Sequence, residues 1–252
     1  MNDEAYRFSD INSAARALLI DAVSTALSAE AQFAVVGGWP LCLRKYGAFN
    51  HPGTKDVDLL FSAGTTAGGL KAVISRFLGN GYLVSAKHEF QLLKKINVGN
   101  RSLIFNVDIL HPHEANSNLE LMVDHIDLEI SENDNPNSLR KMKSIALPTS
   151  RHVFHGHIQN FDLTDTSIQG STETIPIPHI DDLGVFITKF QSIKSVKRPR
   201  DAFDIYLAIT QGSRNDFQIS LKELRRTDDE VDELTNEFSQ YITKHTSIVN
   251  SN

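Results

Sequence analysis

Asp56-Val57-Asp58 sets two carboxylates two positions apart at the head of the apolar run Leu59-Leu60-Phe61. Alternate side chains of a strand share a face, so Asp56 and Asp58 project together. Two carboxylates side by side repel unless a cation lies between them. Mg²⁺ suits the pair, because it prefers hard oxygen ligands, keeps several waters and completes its shell with substrate phosphates. A third carboxylate, Asp108, is embedded in the apolar stretch Ile104-Phe105-Asn106-Val107-Asp108-Ile109-Leu110. A buried charge there is costly, so Asp108 requires a partner, an open strand end or a metal. If the strands are neighbours, Asp56, Asp58 and Asp108 converge and can hold two ions about 3.5–4 Å apart, activating an attacking oxygen and stabilising a departing pyrophosphate. The implied chemistry is phosphoryl or nucleotidyl transfer. Against it stands a plainer reading, in which one aspartate caps, another is solvated and Asp108 closes a strand.

Gly37-Gly38 supplies what a nucleotide needs next, since backbone without a Cβ approaches a phosphate closely. A helix beginning near Pro40 would aim free amides and its positive dipole end at the same place. The plainer alternative is a tight strand-to-helix turn. Gly64-Thr65-Thr66-Ala67-Gly68-Gly69-Leu70-Lys71 imitates a phosphate loop, but Leu70 stands where that pattern requires lysine, so it reads as a loop entering a helix. Further on, Lys189 is a flexible point charge on an otherwise apolar helix face, suited to a triphosphate. Pro199 starts a helix with Asp201 in its first turn and Asp204 one turn later on nearly the same face. Lys194, Lys197, Arg198 and Arg200 crowd that end, where they repel the positive helix terminus unless an anion or acidic neighbour is present.

The elements that must position these groups follow from periodicity. Apolar spacing predicts a packing helix over 10–30, a buried strand over 33–36, a short helix from Pro40 to about Tyr46, a strand over 57–61 and a helix over 66–78. Strands are expected at 82–84, 90–96 and 103–110. Between His111 and Thr174 the chain is rich in Asn, Ser, Thr, Asp and His, with alternating pieces at 125–130 and 157–161 that read as extra strands. Helices return at about 181–192, 199–210, 218–225 and 228–244. The expected fold class is therefore α/β (α+β), a mixed sheet flanked by helices plus a C-terminal helical module. The core spans 1–170 with a strand-rich insertion after about 111, and the helical module spans 171–252.

The chain has 252 residues, 40% hydrophobic and 22% charged, which excludes disorder, collagen and coiled coil. A chain of this size removes roughly 70–75% of its unfolded surface from water without needing cross-links. The single cysteine, Cys42, excludes an intrachain disulfide framework, and Met1-Asn2-Asp3-Glu4 has neither the basic start nor the apolar stretch of an export signal. A cytoplasmic protein is expected, with no membrane span. A net charge of −6 argues against broad coating of DNA or RNA and leaves only local basic patches.

Val36-Gly37-Gly38, Thr54-Lys55-Asp56-Val57-Asp58-Leu59-Leu60 and the later Asp108, taken in order, resemble the nucleotidyltransferases of the DNA polymerase beta-like superfamily: their glycine motif, paired aspartates and third metal-binding aspartate. Ile177-Pro178-His179-Ile180-Asp181-Asp182-Leu183, Lys189 and Lys197-Arg198-Pro199-Arg200-Asp201-Ala202-Phe203-Asp204 look like the tail of the AbiEii-like branch, which includes toxin–antitoxin nucleotidyltransferases. The resemblance implies Mg²⁺ on Asp56, Asp58 and Asp108, with Gly37, Gly38, Lys189, Arg198 and Asp201 holding a nucleoside triphosphate. Its acceptor would be RNA, protein or a small molecule. The resemblance departs at Gly38 and Trp39, where the family often has a serine after its first glycine. Two other readings remain open: a catalytically silent nucleotide-binding antitoxin or regulator, and a small-molecule enzyme resembling aminoglycoside nucleotidyltransferases. The pairs His111/His113 and His155/His157 are read as surface histidines, and the acidic run from Asp228 to Glu233 as a solvated helix start.

Overall fold

The computed structural model describes residues 6–44, 51–62, 64–65, 67–112, 120–123, 142–147, 150–190, 199–210 and 212–249. The short β1 (Arg7–Phe8) leads into α1 (Ile11–Leu27). Asp10 caps that helix by accepting the Ser13 amide at 2.9 Å, a bond that draws its carboxyl down to about 2. Next come β2 (Phe33–Val36), the five-residue α2 (Trp39–Leu43), β3 (Val57–Phe61) and α3 (Ala67–Gly79). Strands β4 (Leu83–Val84), β5 (Gln91–Val98), β6 (Arg101–Pro112), β7 (Glu120–Val123) and β8 (Met142–Leu147) follow. After a 3-10 turn at Ser150–Phe154, β9 (Ile158–Thr166) and β10 (Thr172–Ile180) form a hairpin. The chain then becomes helical through α4 (Asp182–Lys189), α5 (Pro199–Thr210), α6 (Arg214–Thr227) and α7 (Asp229–Val249).

The strands form one mixed sheet with the spine order β1-β5-β6-β3-β2-β10-β9. β3 runs parallel to β6 and antiparallel to β2, and β10 lies parallel to β2. Period-two alternation sends one set of side chains to each face. Val57, Leu59, Phe61, Phe105, Val107 and Ile109 pack against α1 and α3 in one core. Ala34, Val36 and Leu60 face the other way and join Leu183, Phe186, Ile205 and Leu207 of the C-terminal helices in a second core. The sheet is thus sandwiched between two helical layers, the mixed α/β architecture with C-terminal helices that the sequence predicts.

Several particulars differ from expectation. Gly170, the expected start of the helical module, lies between β9 and β10 with a φ of +88°, and the sheet continues to Ile180 before the first C-terminal helix. Turn-forming glycine marks a hairpin there as readily as a domain edge. Asp228 is more than a solvated helix start: it accepts the Val231 amide at 3.1 Å and pairs with Arg151 at 2.9 Å. The alternating piece at 125–130, along with His113, Lys194, Lys197 and Arg198, lies outside the described residues. Among the described residues, no helix is long and apolar enough to cross a membrane.

Candidate active site

The residues that could do chemistry gather where β2, β3 and β6 lie side by side. Asp58 pairs in register with Val36 on one side and with Asp108 on the other. Neighbouring strands are about 4.8 Å apart, so register brings these two half-buried carboxylates together on one face. It is the face that Leu60, two residues on, presents to the helical module. Asp56, just before β3, is exposed, and its Oδ1 accepts the Asn106 amide at 3.3 Å. Asn106 precedes Asp108 by two positions and therefore shares its face. Gln91 on β5 stands directly opposite Asp108. The face thus carries Asp56, Asp58, Asn106, Asp108 and Gln91, an all-oxygen-and-amide set that suits a hard divalent cation.

Gly37 leaves β2 with a φ of +70°, a conformation that L side chains rarely adopt. Space enforces the same choice, because an added Cβ would run into Oδ2 of Asp58 and lie 2.9 Å from its Cγ. The missing side chain is what lets the Asp58 carboxylate lie against the glycine turn. Gly38 is constrained by the loop after α2: a Cβ there would meet Thr54 Cβ at 3.2 Å and His51 Cε1 at 3.4 Å. Since α2 is a single short turn, the helix dipole expected at Pro40 contributes little, and close approach of backbone is the main property of the glycine pair. Trp39 is buried in the first core and lines a cavity of about 220 Å³ with Asn12, Arg16, Cys42, His51 and Thr54.

On the helical side, Lys189 at the end of α4 contacts Asp201 Oδ1 at 2.9 Å and Asp204 Oδ2 at 2.5 Å. Pro199 begins α5 as expected, and helical spacing puts Asp201 and Asp204 on the same face. Burial alone would lower the pKa of the Lys189 ammonium, but Asp204 and Asp201 outweigh it and hold the group above its ordinary value. Burial would likewise raise the Asp204 carboxyl, yet the His51 hydrogen bond and Lys189 hold it low. Lys189 is thus committed to two carboxylates of its own module. Arg200 donates to the Gly53 carbonyl, and Arg198 falls outside the described residues.

His51 was not singled out by the sequence, where His51-Pro52-Gly53 reads only as turn chemistry. Its imidazole meets Asp204 Oδ1 at 3.0 Å, a pairing across 153 positions that no local signal announces. Asn106 and Gln91 were also missed, although Asn106 is marked by its two-residue spacing from Asp108. A separate trio, His152, Asp228 and Glu230, has its ligand-type atoms close enough for a metal. Arg151, however, already bridges Asp228 and Glu230 at 2.9 Å each, so a cationic guanidinium occupies that position. His111 contacts Ser144 and His157 contacts Asp181.

No protein-family profile matches the chain, and no curated protein matches it by sequence. Among solved structures it is similar to the antibiotic-resistance factor ANT(2'')-Ia, at 13% identity, over 95% of this chain and 100% of that one, with a TM-score of 0.42. It is also similar to an antigenic nucleotidyltransferase-like protein from Paracoccidioides brasiliensis, at 12% identity, over 90% of this chain and 93% of that one, with a TM-score of 0.36. At that level the likeness assigns no residue a role.

Proposed function

We propose that the protein is a Mg²⁺-dependent nucleotidyltransferase that moves a nucleoside monophosphate from a nucleoside triphosphate to an acceptor hydroxyl. The observation that carries this reading is the register of Asp58 and Asp108 on adjacent parallel strands, with Gly37 admitting the Asp58 carboxylate. Asp56, Asp58 and Asp108 are the ligands, all oxygen donors on one face. Mg²⁺ held there supplies charge neutralisation to the triphosphate and to the departing pyrophosphate.

The chain's own residues do the rest. Gly37 and Gly38 let backbone approach the phosphates, and Asp108 either completes a second metal site or accepts the proton of the acceptor hydroxyl. The acceptor oxygen then bonds the α-phosphorus as its bond to the β-phosphate oxygen breaks, and pyrophosphate leaves. By resemblance alone, Lys189 and Asp201 would meet the triphosphate from the helical module, with Arg198 in the segment between them. A net charge of −6 favours a small molecule or protein hydroxyl over a polyanionic RNA as acceptor.

The test is incubation with each α-labelled nucleoside triphosphate, Mg²⁺ and a cell extract, with pyrophosphate release followed in parallel. Label retained in one fraction, accompanied by pyrophosphate and lost in Asp58→Ala, is the expected result. Nucleotide binding by calorimetry without Mg²⁺-dependent pyrophosphate release across a broad acceptor screen would instead identify a silent regulator.

A further inference from the structure

The loop that leads into β3 is tied to the helical module at two points, the His51 imidazole and the Arg200 guanidinium. His51 Nδ1 accepts the Gly53 amide at 3.2 Å, and because a backbone amide can only donate, that nitrogen carries no proton. Cys42 Sγ lies 2.8 Å from the same nitrogen. Burial pushes the Cys42 thiol up to about 12, so it keeps its proton at neutral pH and donates to Nδ1. The order Cys42–His51–Asp204 resembles a nucleophilic relay, yet a thiol so weakly acidic is not an activated nucleophile.

With Nδ1 accepting twice, the proton of the neutral ring sits on Nε2 and is donated to Asp204 Oδ1 at 3.0 Å. The His51 and Asp204 side chains are each only 1% exposed, which removes water as a competitor for these bonds. The other oxygen of Asp204 receives Lys189. Arg200 ties the same loop a second time at the Gly53 carbonyl. Among these groups, two cations, Lys189 and Arg200, offset two anions, Asp201 and Asp204, with Lys189 in direct contact with both carboxylates and Arg200 Nη2 3.4 Å from His51 Nε2. The loop also lies flush on the glycine turn, with His51 and Thr54 filling the space over Gly38.

We infer that His51 is a positioning residue: it couples the Lys189–Asp201–Asp204 cluster to the loop 51–56 and so fixes where Asp56 stands at the head of β3. Lys189 then acts on the reaction through Asp204 and His51 rather than by touching phosphate. This inference rests on the Mg²⁺ site proposed above.

Mn²⁺ affinity of the full chain without nucleotide, read by electron paramagnetic resonance alongside melting temperature, tests it independently of turnover. His51→Gln keeps a donor toward Asp204 and loses the acceptor for Gly53; His51→Asn keeps that acceptor and loses reach to Asp204. Each cuts one end of the link, and each weakens Mn²⁺ binding by about tenfold. Ile205→Val, which trims a buried methyl beside Asp204, lowers the melting temperature and leaves Mn²⁺ affinity unchanged. Wild-type affinity in either His51 variant, or an equal loss in Ile205→Val, overturns the positioning role. Asp58→Asn separates the two readings: wild-type Mn²⁺ binding by it overturns both, whereas loss there with full binding in the His51 variants overturns only this one.

Discussion

Two groups of charged side chains lie on the side of the sheet that the C-terminal helices cover, and they are built in opposite ways. Asp56, Asp58 and Asp108 carry one sign and are exposed or half-buried, and strand register draws Asp58 and Asp108 together. Lys189, Asp201 and Asp204 carry both signs, are largely withdrawn from water, and meet at 2.5–2.9 Å. Like charges held together by a rigid sheet store repulsion that a cation relieves, whereas a closed set of opposite charges stabilises the elements that carry it once their desolvation is offset. Sign and burial, more than the number of charged residues, therefore separate the proposed metal-binding face from its support.

That contrast can be broken most sharply at Asp58. Asp58→Asn removes a proposed ligand and lowers pyrophosphate release by more than about 100-fold, above the loss typical of an outer-shell contact, while the melting temperature holds or rises because repulsion is relieved. A large fall in melting temperature instead would place Asp58 with the support. Lys189→Met makes the opposite cut, leaving Asp201 and Asp204 buried against no ammonium. It costs about 3–5 kcal/mol in urea unfolding, and a neutral result would show the cluster to be solvated.

Gly37→Ala sits between the two groups. Its φ of +70° and the clash with Asp58 predict a loss of about 1–3 kcal/mol in stability, together with weaker Mn²⁺ binding because the carboxylate must move. Stability lost without any change in Mn²⁺ affinity would uncouple the turn from the carboxylate.

The smallest effect is on pH dependence. Asp204 has a folded-state pKa below its ordinary value, so the stability it contributes is complete above about pH 4 and is lost as pH falls through the folded value. Lys189 behaves inversely: its pKa is raised, so its contribution is present below about pH 10 and is lost as pH rises through the folded value. Asp204→Asn should flatten the acid limb of melting temperature against pH, and an unchanged limb would remove Asp204 from the account.

Much of the frame was legible because it is local. Strands β2 and β3 and helix α5 have the bounds that their apolar periods and Pro199 indicate. The common face of Asp56 and Asp58 follows from alternation, and only the neighbourhood of Asp108 depended on strand order. What stayed hidden was long-range. His51 meets a residue 153 positions away, Gln91 faces Asp108 through antiparallel register, and Arg151 reaches an acidic helix start 77 positions on. None of these pairings leaves a periodic trace. Lys189 was placed on its helix correctly, but a charge on an apolar face does not reveal whether a phosphate or a neighbouring carboxylate faces it.

The most direct test of the proposed cation site is anomalous diffraction from crystals grown with Mn²⁺ and a non-hydrolysable nucleoside triphosphate. A metal peak bounded by carboxylate oxygens of Asp58 and Asp108, at about 2.1 Å from each, is the expected result. A peak only at His152, Asp228 and Glu230, or none on the β3–β6 face, would contradict it.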